Sequence, residues 1–324
     1  MENKLVISPA PHVHGKDTTP RIMFDVLLAL LPALCVSTWV YGWRVLIVTA
    51  FSVACCVLTE WLIQKFLLKG PSTLSNGSAI VTGVLLAFNL PVGIPLGLVA
   101  IGAVVAIGIA KMTFGGLGKN PFNPALVGRV FLLIAFPVAM TTFPEALNAV
   151  SGATPLAMAK EGIKAGLPMT EIMQNVDYMD MWIGFKSGSM GEISAVALLL
   201  GFVWLLYRRV ITWHIPVTIL LTMAVIASLG WLFDPSHCMS PLFHVLSGGA
   251  ILGSVFMATD YTTSPMTTRG CIIYAVGIGL ITMLIRMFGA YPEGMSFAIL
   301  IMNSVVPLID KWVRPRRFGV VSKR

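Results

Sequence analysis

Charge is what this chain has least of. Only 11% of its 324 residues are charged, against roughly 25% in ordinary soluble domains, while 56% are hydrophobic. That deficit excludes a soluble globular enzyme. The net charge of +8 comes with no motif that reads as a nucleic-acid surface, so no nucleic-acid partner is expected. Cysteine is sparse as well: Cys35, Cys55, Cys56, Cys238 and Cys271 show no CxxC spacing and read as small buried hydrophobes. The histidines (His12, His14, His214, His237, His244) lack metal-ligand spacing. With no dinucleotide fingerprint and no iron–sulfur ligand set, the chain does not hold such sites by itself. A cleavable signal peptide is not expected either. Residues 1–20 are polar, with Pro9, Pro11 and Lys16 ahead of any apolar run, so the first span should stay as a membrane helix.

What the chain has in quantity is apolar runs long enough for a hydrocarbon core of about 30 Å. Ten are read, over 22–41, 45–64, 78–91, 96–112, 126–143, 191–207, 213–233, 242–258, 271–288 and 295–313. The fold expected is an all-α polytopic membrane protein. Residues 1–20 form a cytoplasmic tail, 21–143 and 191–313 two five-helix halves, 144–190 an external loop, and 314–324 a basic tail. The segment from Phe114 to Pro124 cannot be a regular helix. Three glycines loosen it, and Pro121 and Pro124 remove amide donors. Lysine and arginine set the orientation. With the amino terminus inside, 17 of them fall on the cytoplasmic side, Arg129 and Arg208 included, and 5 outside. Both termini are then cytoplasmic, and the tail cluster Arg314–Arg317 rests on anionic headgroups.

The halves resemble each other. Residues 77–89 align without gaps on 248–260, and Phe114-Gly115-Gly116 pairs with Phe288-Gly289-Ala290. Five spans per half is an odd number, so such repeats are inverted about an axis in the membrane plane. Short, Gly/Pro-broken helices at matching places then point to a midplane site. Asn89, Asn120, Asn123 and Asp260 lie at those breaks. The external loop carries Ser151-Gly152-Ala153-Thr154, two small residues leaving the Thr154 hydroxyl accessible and Pro155 biasing it toward extended backbone.

Five features occur together: Gly116-Leu117-Gly118-x-Asn120-Pro121-Phe122-Asn123-Pro124, the Ser-Gly-Ala-Thr at 151–154, Met257-Ala258-Thr259-Asp260-Tyr261, Arg21-Ile22-Met23 with Asp25, and Asn303…Pro307-Leu308-Ile309-Asp310. On these the chain resembles the D subunit of the bacterial Rnf electron-transport complex and, more distantly, the B subunit of the sodium-pumping NADH:quinone reductase. The resemblance implies FMN joined through a phosphoester to Thr154 by a flavin transferase, with Ser151, Gly152 and Ala153 completing its motif. It further implies a non-covalent riboflavin near Asn120 and Asn123. The partners implied are the other membrane and peripheral subunits, a second flavinylated subunit among them, in a bacterial inner membrane, with electron flow coupled to Na+ or H+. One position departs from the motif: Asn148 stands where an aspartate is usual. A channel or secondary transporter of the same inverted-repeat architecture is the rival reading, and a structural anchor a third.

Charged residues inside apolar segments are costly and therefore informative. Asp25 reads as a group with a polar partner or on an ion path. Asp260 is a second ion-path candidate, with a cap for Thr262 or Thr263 as its structural alternative, and Glu60 reads as an interfacial residue beside Lys65.

Overall fold

The computed structural model describes residues 18–69, 73–144, 151–166, 177–234 and 238–314. His12, His14, Asn148, His237 and the tail beyond Arg314 lie outside the described residues. The first half runs α1 (Thr19–Tyr41), α2 (Arg44–Leu62), α3 (Ser78–Phe88), α4 (Leu96–Val104), α5 (Pro124–Ala135) and α6 (Pro137–Thr141). Wider π-helical turns prolong α2 over Ile63–Leu68 and α4 over Val105–Met112. Next come α7 (Pro155–Lys164), α8 (Tyr178–Ile183), α9 (Ala195–Tyr207), α10 (His214–Phe233) and α11 (Pro241–Leu246). The chain closes with α12 (Ala250–Leu252, prolonged by π turns over Gly253–Met257), α13 (Thr268–Phe288) and α14 (Met295–Trp312). A two-residue ladder, Phe143–Pro144 against Ser151–Gly152, is the strand pairing among the described residues.

Five helices are long and apolar enough to cross a membrane: α1, α2 with its extension, α10, α13 and α14. Four more, α3, α4 with its extension, α5 and α9, are apolar but shorter. This is the architecture of a polytopic membrane protein. Large apolar side chains face outward along it, Trp39, Leu221, Leu229 and Phe288 among them, as lipid-facing surfaces require.

Two segments expected as single spans are instead split. The run 126–143 breaks at Phe136, because Pro137 has no amide to donate and its ring excludes the preceding turn. The run 242–258 breaks at Ser247-Gly248, where Gly248 takes φ +60°. The helix read from 191 begins only at Ala195, capped by the Ser194 hydroxyl. Gly77, aligned with Gly248 in sequence, is also left-handed, at φ +74°, and stands just before α3.

Packing follows a recurrent scheme. Helix α2 lies on α3 and α4, and α10 lies on α12 and α13. Helix α1 lies on α9, and α5 on α14. Small residues allow the close approaches, since packing rather than apolar burial holds helices together in lipid. A Cβ on Gly83 of α3 would come 2.7 Å from the Val53 Cα of α2, and one on Gly201 of α9 would strike the Ala29 carbonyl of α1. The carboxyl-terminal ends of α3 and of the π segment after α12 meet, with Asn89 Nδ2 at 3.7 Å from Met257 Sδ.

One partly buried and one fully buried ion pair lie in this packing. Asp25 of α1 receives the Arg208 guanidinium, at 3.0 Å from Nη2 and 3.2 Å from Nε. Glu60, expected at the interface beside Lys65, is instead 1% exposed and binds Lys111 Nζ at 2.6 Å. Lys65 lies over the Trp61 ring instead.

Candidate functional site

Two recesses gather the residues singled out in the sequence. The Thr154 cleft is a partly open recess with about 700 Å³ of space between its walls, open solvent included. Thr154 is half-buried on its wall, and its backbone is extended at ψ 152°, as the following proline requires. It is the N-cap of α7: its hydroxyl accepts the Ala157 amide at 3.2 Å. Ser151 and Gly152 form the short strand leading in, and Ala153 is exposed.

Opposite Thr154 the cleft is lined by Arg129, Lys186, Glu192 and Glu293. Arg129 lines this cleft from α5, six residues after the helix start at Asn123. Its Nη2 binds Glu293 at 2.6 Å and its Nη1 binds the Ser296 hydroxyl. Glu293 also accepts the Gly249 amide at the start of α12. Lys186 Nζ donates to the Leu246 carbonyl at 2.5 Å. Among the described residues, Arg129 Nε and Glu192 Oε1 are buried without hydrogen-bond partners. Glu192 stands 3.6 Å from Arg129 Nη2, an ion-pair distance but too long for a hydrogen bond.

Lys186, Glu192 and Glu293 lie in connections between helices, and the cleft shifts their protonation. Burial, followed by the nearby Glu293, pushes the Glu192 carboxyl upward. Burial opposes the charge of Glu293 too, but Arg129 and Arg286 outweigh it and hold that carboxyl low. Burial draws the Lys186 ammonium down to about 8. The cleft therefore holds cations that Glu293 does not fully neutralise. An FMN phosphoester on Thr154 fits this set: its phosphate would meet the amino terminus of α7 and face Arg129, whose Nε has no partner.

The Asn120 cavity, about 790 Å³, lies where the broken segment meets α1, α3 and the loop after α12. Asn120 Nδ2 donates to the Phe122 carbonyl and to Thr262 Oγ1, both at 3.1 Å. Asn123 caps α5 by accepting the Ala125 and Leu126 amides, and its Nδ2 donates to the Met257 carbonyl at 3.1 Å. Asp260 accepts from Thr262 Oγ1 at 2.9 Å and Thr263 Oγ1 at 3.4 Å. Lys111 reaches the same cavity and, besides Glu60, binds Ser78 Oγ at 2.7 Å. Asp25 is not part of this lining; its charge is matched by Arg208.

The mixture suits a flat heterocycle with carbonyl and amide edges: apolar walls from Met23, Val26 and Leu205, with amide, hydroxyl and ammonium groups around them. Five of the charged residues that line the two recesses, Lys111, Arg129, Lys186, Glu192 and Glu293, received no site reading from the sequence. The signal they carried was their rarity in apolar surroundings.

A family profile described as "NQR2, RnfD, RnfE family" matches residues 6–319. The chain is 46% identical over 325 residues to the D subunit of the Na(+)-translocating ferredoxin:NAD(+) oxidoreductase complex of Acetobacterium woodii, covering 99% of this chain and 97% of that protein. It is 42% identical to the D subunit of the proton-translocating ferredoxin:NAD(+) oxidoreductase complex of Clostridium ljungdahlii, over 98% and 97% of the two chains. The D subunit of the ion-translocating oxidoreductase complex of an Escherichia coli strain is similar at 38% identity, over 97% and 98%.

Proposed function

The chain belongs to the NQR2, RnfD, RnfE family, and on that premise we propose that it is the membrane electron-carrying subunit of an ion-translocating ferredoxin:NAD+ oxidoreductase complex. In this reading FMN is linked covalently to Thr154 and riboflavin is held in the Asn120 cavity. A flavin transferase and the remaining subunits, a second flavinylated one among them, are its partners in a bacterial inner membrane. Ferredoxin and NAD+ chemistry then belongs to those other subunits, and both termini face the cytoplasm. The coupled ion is Na+ or H+, the two named for the similar proteins above.

The observation that carries the proposal is the place of Thr154. It sits at the amino terminus of α7 on the wall of a recess lined by two buried cations, Arg129 and Lys186. Bound flavin supplies one- and two-electron transfer; the protein's residues bind and orient. Arg129 and Lys186 balance negative charge, Glu293 holds Arg129 in place, and Asn120 offers its amide to a ring edge. Asp260, netted with Thr262 and Thr263, keeps hard oxygen atoms at the second recess. It is the better ion-path candidate of the two, because Arg208 already neutralises Asp25.

Ten spans in two inverted five-helix repeats, with α3 and α12 as broken half-helices, belong to the same proposal. The packing supports it: α1 with α9 and α5 with α14 are equivalent elements in contact, as a two-fold axis in the membrane plane requires. The meeting of Asn89 with Met257 supports it in the same way.

In-gel fluorescence of the denatured protein tests the assignment. Covalent flavin should be visible, and Thr154→Ala should abolish it; fluorescence that persists in that variant overturns the site. A colourless protein with neither flavin favours the channel or transporter reading. For the second cavity Asn120→Ala is the cleaner probe, because Asn123→Ala also removes a helix cap worth about 1 kcal/mol. Extractable riboflavin should fall while the Thr154 fluorescence stays, and a full complement of riboflavin would show the cavity to be structural.

A further inference from the structure

A third cavity lies between α7 and the helices α10 and α13. It encloses about 1,040 Å³ and shares Leu156 and Pro292 with the Thr154 cleft. Its walls are apolar, with Ala227 from α10, Met283 and Met287 from α13 and Ile163 from α7. Its charged groups are all cations: Lys160 and Lys164, one turn apart on α7, and Arg286 on α13. Among the described residues no acidic side chain lines it.

Two of these cations, Lys160 and Arg286, are held by neutral acceptors. Lys160 donates to the carbonyls of Tyr291 at 2.8 Å and Ile285 at 3.4 Å. Arg286 donates to those of His244 at 2.5 Å and Ser247 at 3.0 Å. Glu293 of the neighbouring cleft shares the Arg286 charge. Among the described residues no carboxylate lies within ion-pair distance of Lys160 or Lys164. Burial, followed by repulsion from Lys164, draws the Lys160 ammonium below the usual lysine range. His244, 5% exposed, also lines the cavity, and its Nδ1 has no partner.

The rim opens on the lipid-facing side of the fold. Phe288 is 80% exposed there and Met287 38%, both on a helix apolar enough to cross the membrane. An occupant would therefore arrive from the bilayer. A neutral apolar molecule would leave the lysines unmatched, and a soluble anion would leave the methionine walls bare. We infer that this cavity binds an anionic phospholipid, its phosphate at Lys160 and Lys164 and its acyl chains along Ala227, Met283 and Met287. Basic pockets between membrane helices take such headgroups on the same physical grounds. The lipid would brace α7, the helix that Thr154 caps, and the inference stands independently of any flavin there.

Native mass spectrometry of the detergent-extracted protein tests it, with phosphatidylglycerol as probe. The wild type should bind it, and Lys160→Gln with Lys164→Gln should bind about thirtyfold more weakly, as two lysines near a headgroup imply. Ala227→Phe fills the apolar wall while keeping both lysines, and should also lose the lipid. Lys160→Arg with Lys164→Arg keeps charge and should retain it, which separates lost charge from a damaged fold. Phosphatidylglycerol should raise the melting temperature of the wild type, whereas phosphatidylcholine and inorganic phosphate should not. Equal binding by the glutamine and phenylalanine variants, or equal stabilisation by phosphatidylcholine or by inorganic phosphate alone, would overturn the assignment.

Discussion

Beside the Asn120 cavity charge is paired off locally: Lys111 and Glu60, both almost wholly buried, meet at 2.6 Å, with Ser78, Gln64 and Thr73 taking up their remaining bonds, and Asp260 is netted by Thr262 and Thr263. At the Thr154 cleft charge is pooled. Arg129 is shared between Glu293 and Glu192, Arg286 acts on Glu293 from behind, and two polar atoms have no partner. The half-helices at the two recesses differ in the same sense. The amino terminus of α3 meets an ammonium through Ser78, which a helix dipole disfavours, so Glu60 is needed beside it. The amino terminus of α12 meets the carboxylate of Glu293 directly, which the dipole favours. A closed pair serves as a fixed strut, whereas a pooled cluster with unmet valences is suited to receiving a charged group.

The comparison predicts unequal costs for similar substitutions. Lys111→Met should be the most damaging, since it strands Glu60 in an apolar interior. About 3–5 kcal/mol of stability should be lost, read as a lower melting temperature in detergent, and the double variant with Glu60→Gln should recover much of it. Arg129→Met should cost less, about 1.5–3 kcal/mol, because Glu293 keeps Arg286 and the Gly249 amide; the same melting assay checks it. A cost for Arg129 equal to that for Lys111 would contradict the pooled description. Glu192→Gln should be the mildest, under about 1 kcal/mol, since the carboxylate makes no hydrogen bond to Arg129. A large loss would mean that Glu192 is as firmly paired as Glu60.

Much of the scaffold was readable from the chain itself. Apolar runs mark the helices because lipid demands them, and the glycines and prolines of 114–124 mark a break because they cannot sustain a ladder of amide bonds. Thr154 and Asn120 were singled out by the family resemblance together with their local chemistry, and each lines a recess. Pairings distant in sequence were not readable. Glu60 meets Lys111 across 51 positions and Arg129 meets Glu293 across 164, and neither spacing has a local signature. Glu60 looked interfacial because Lys65 is one turn away, yet the helix turns Glu60 inward and leaves Lys65 over Trp61. Arg129 drew no site reading because a charge count records only the side of a span, whereas its partners lie far along the chain.

The helix α5 starts at Asn123 on the wall of one recess and carries Arg129 into the other. Six residues at 1.5 Å rise separate them by about 9 Å, against about 30 Å of hydrocarbon elsewhere. In the topology proposed above the two recesses lie toward opposite faces, and a membrane voltage would then fall most steeply along this short stretch of α5. A unit charge transferred between the recesses would then do most of the electrical work of a full crossing, about 2.3 kcal/mol for each 100 mV.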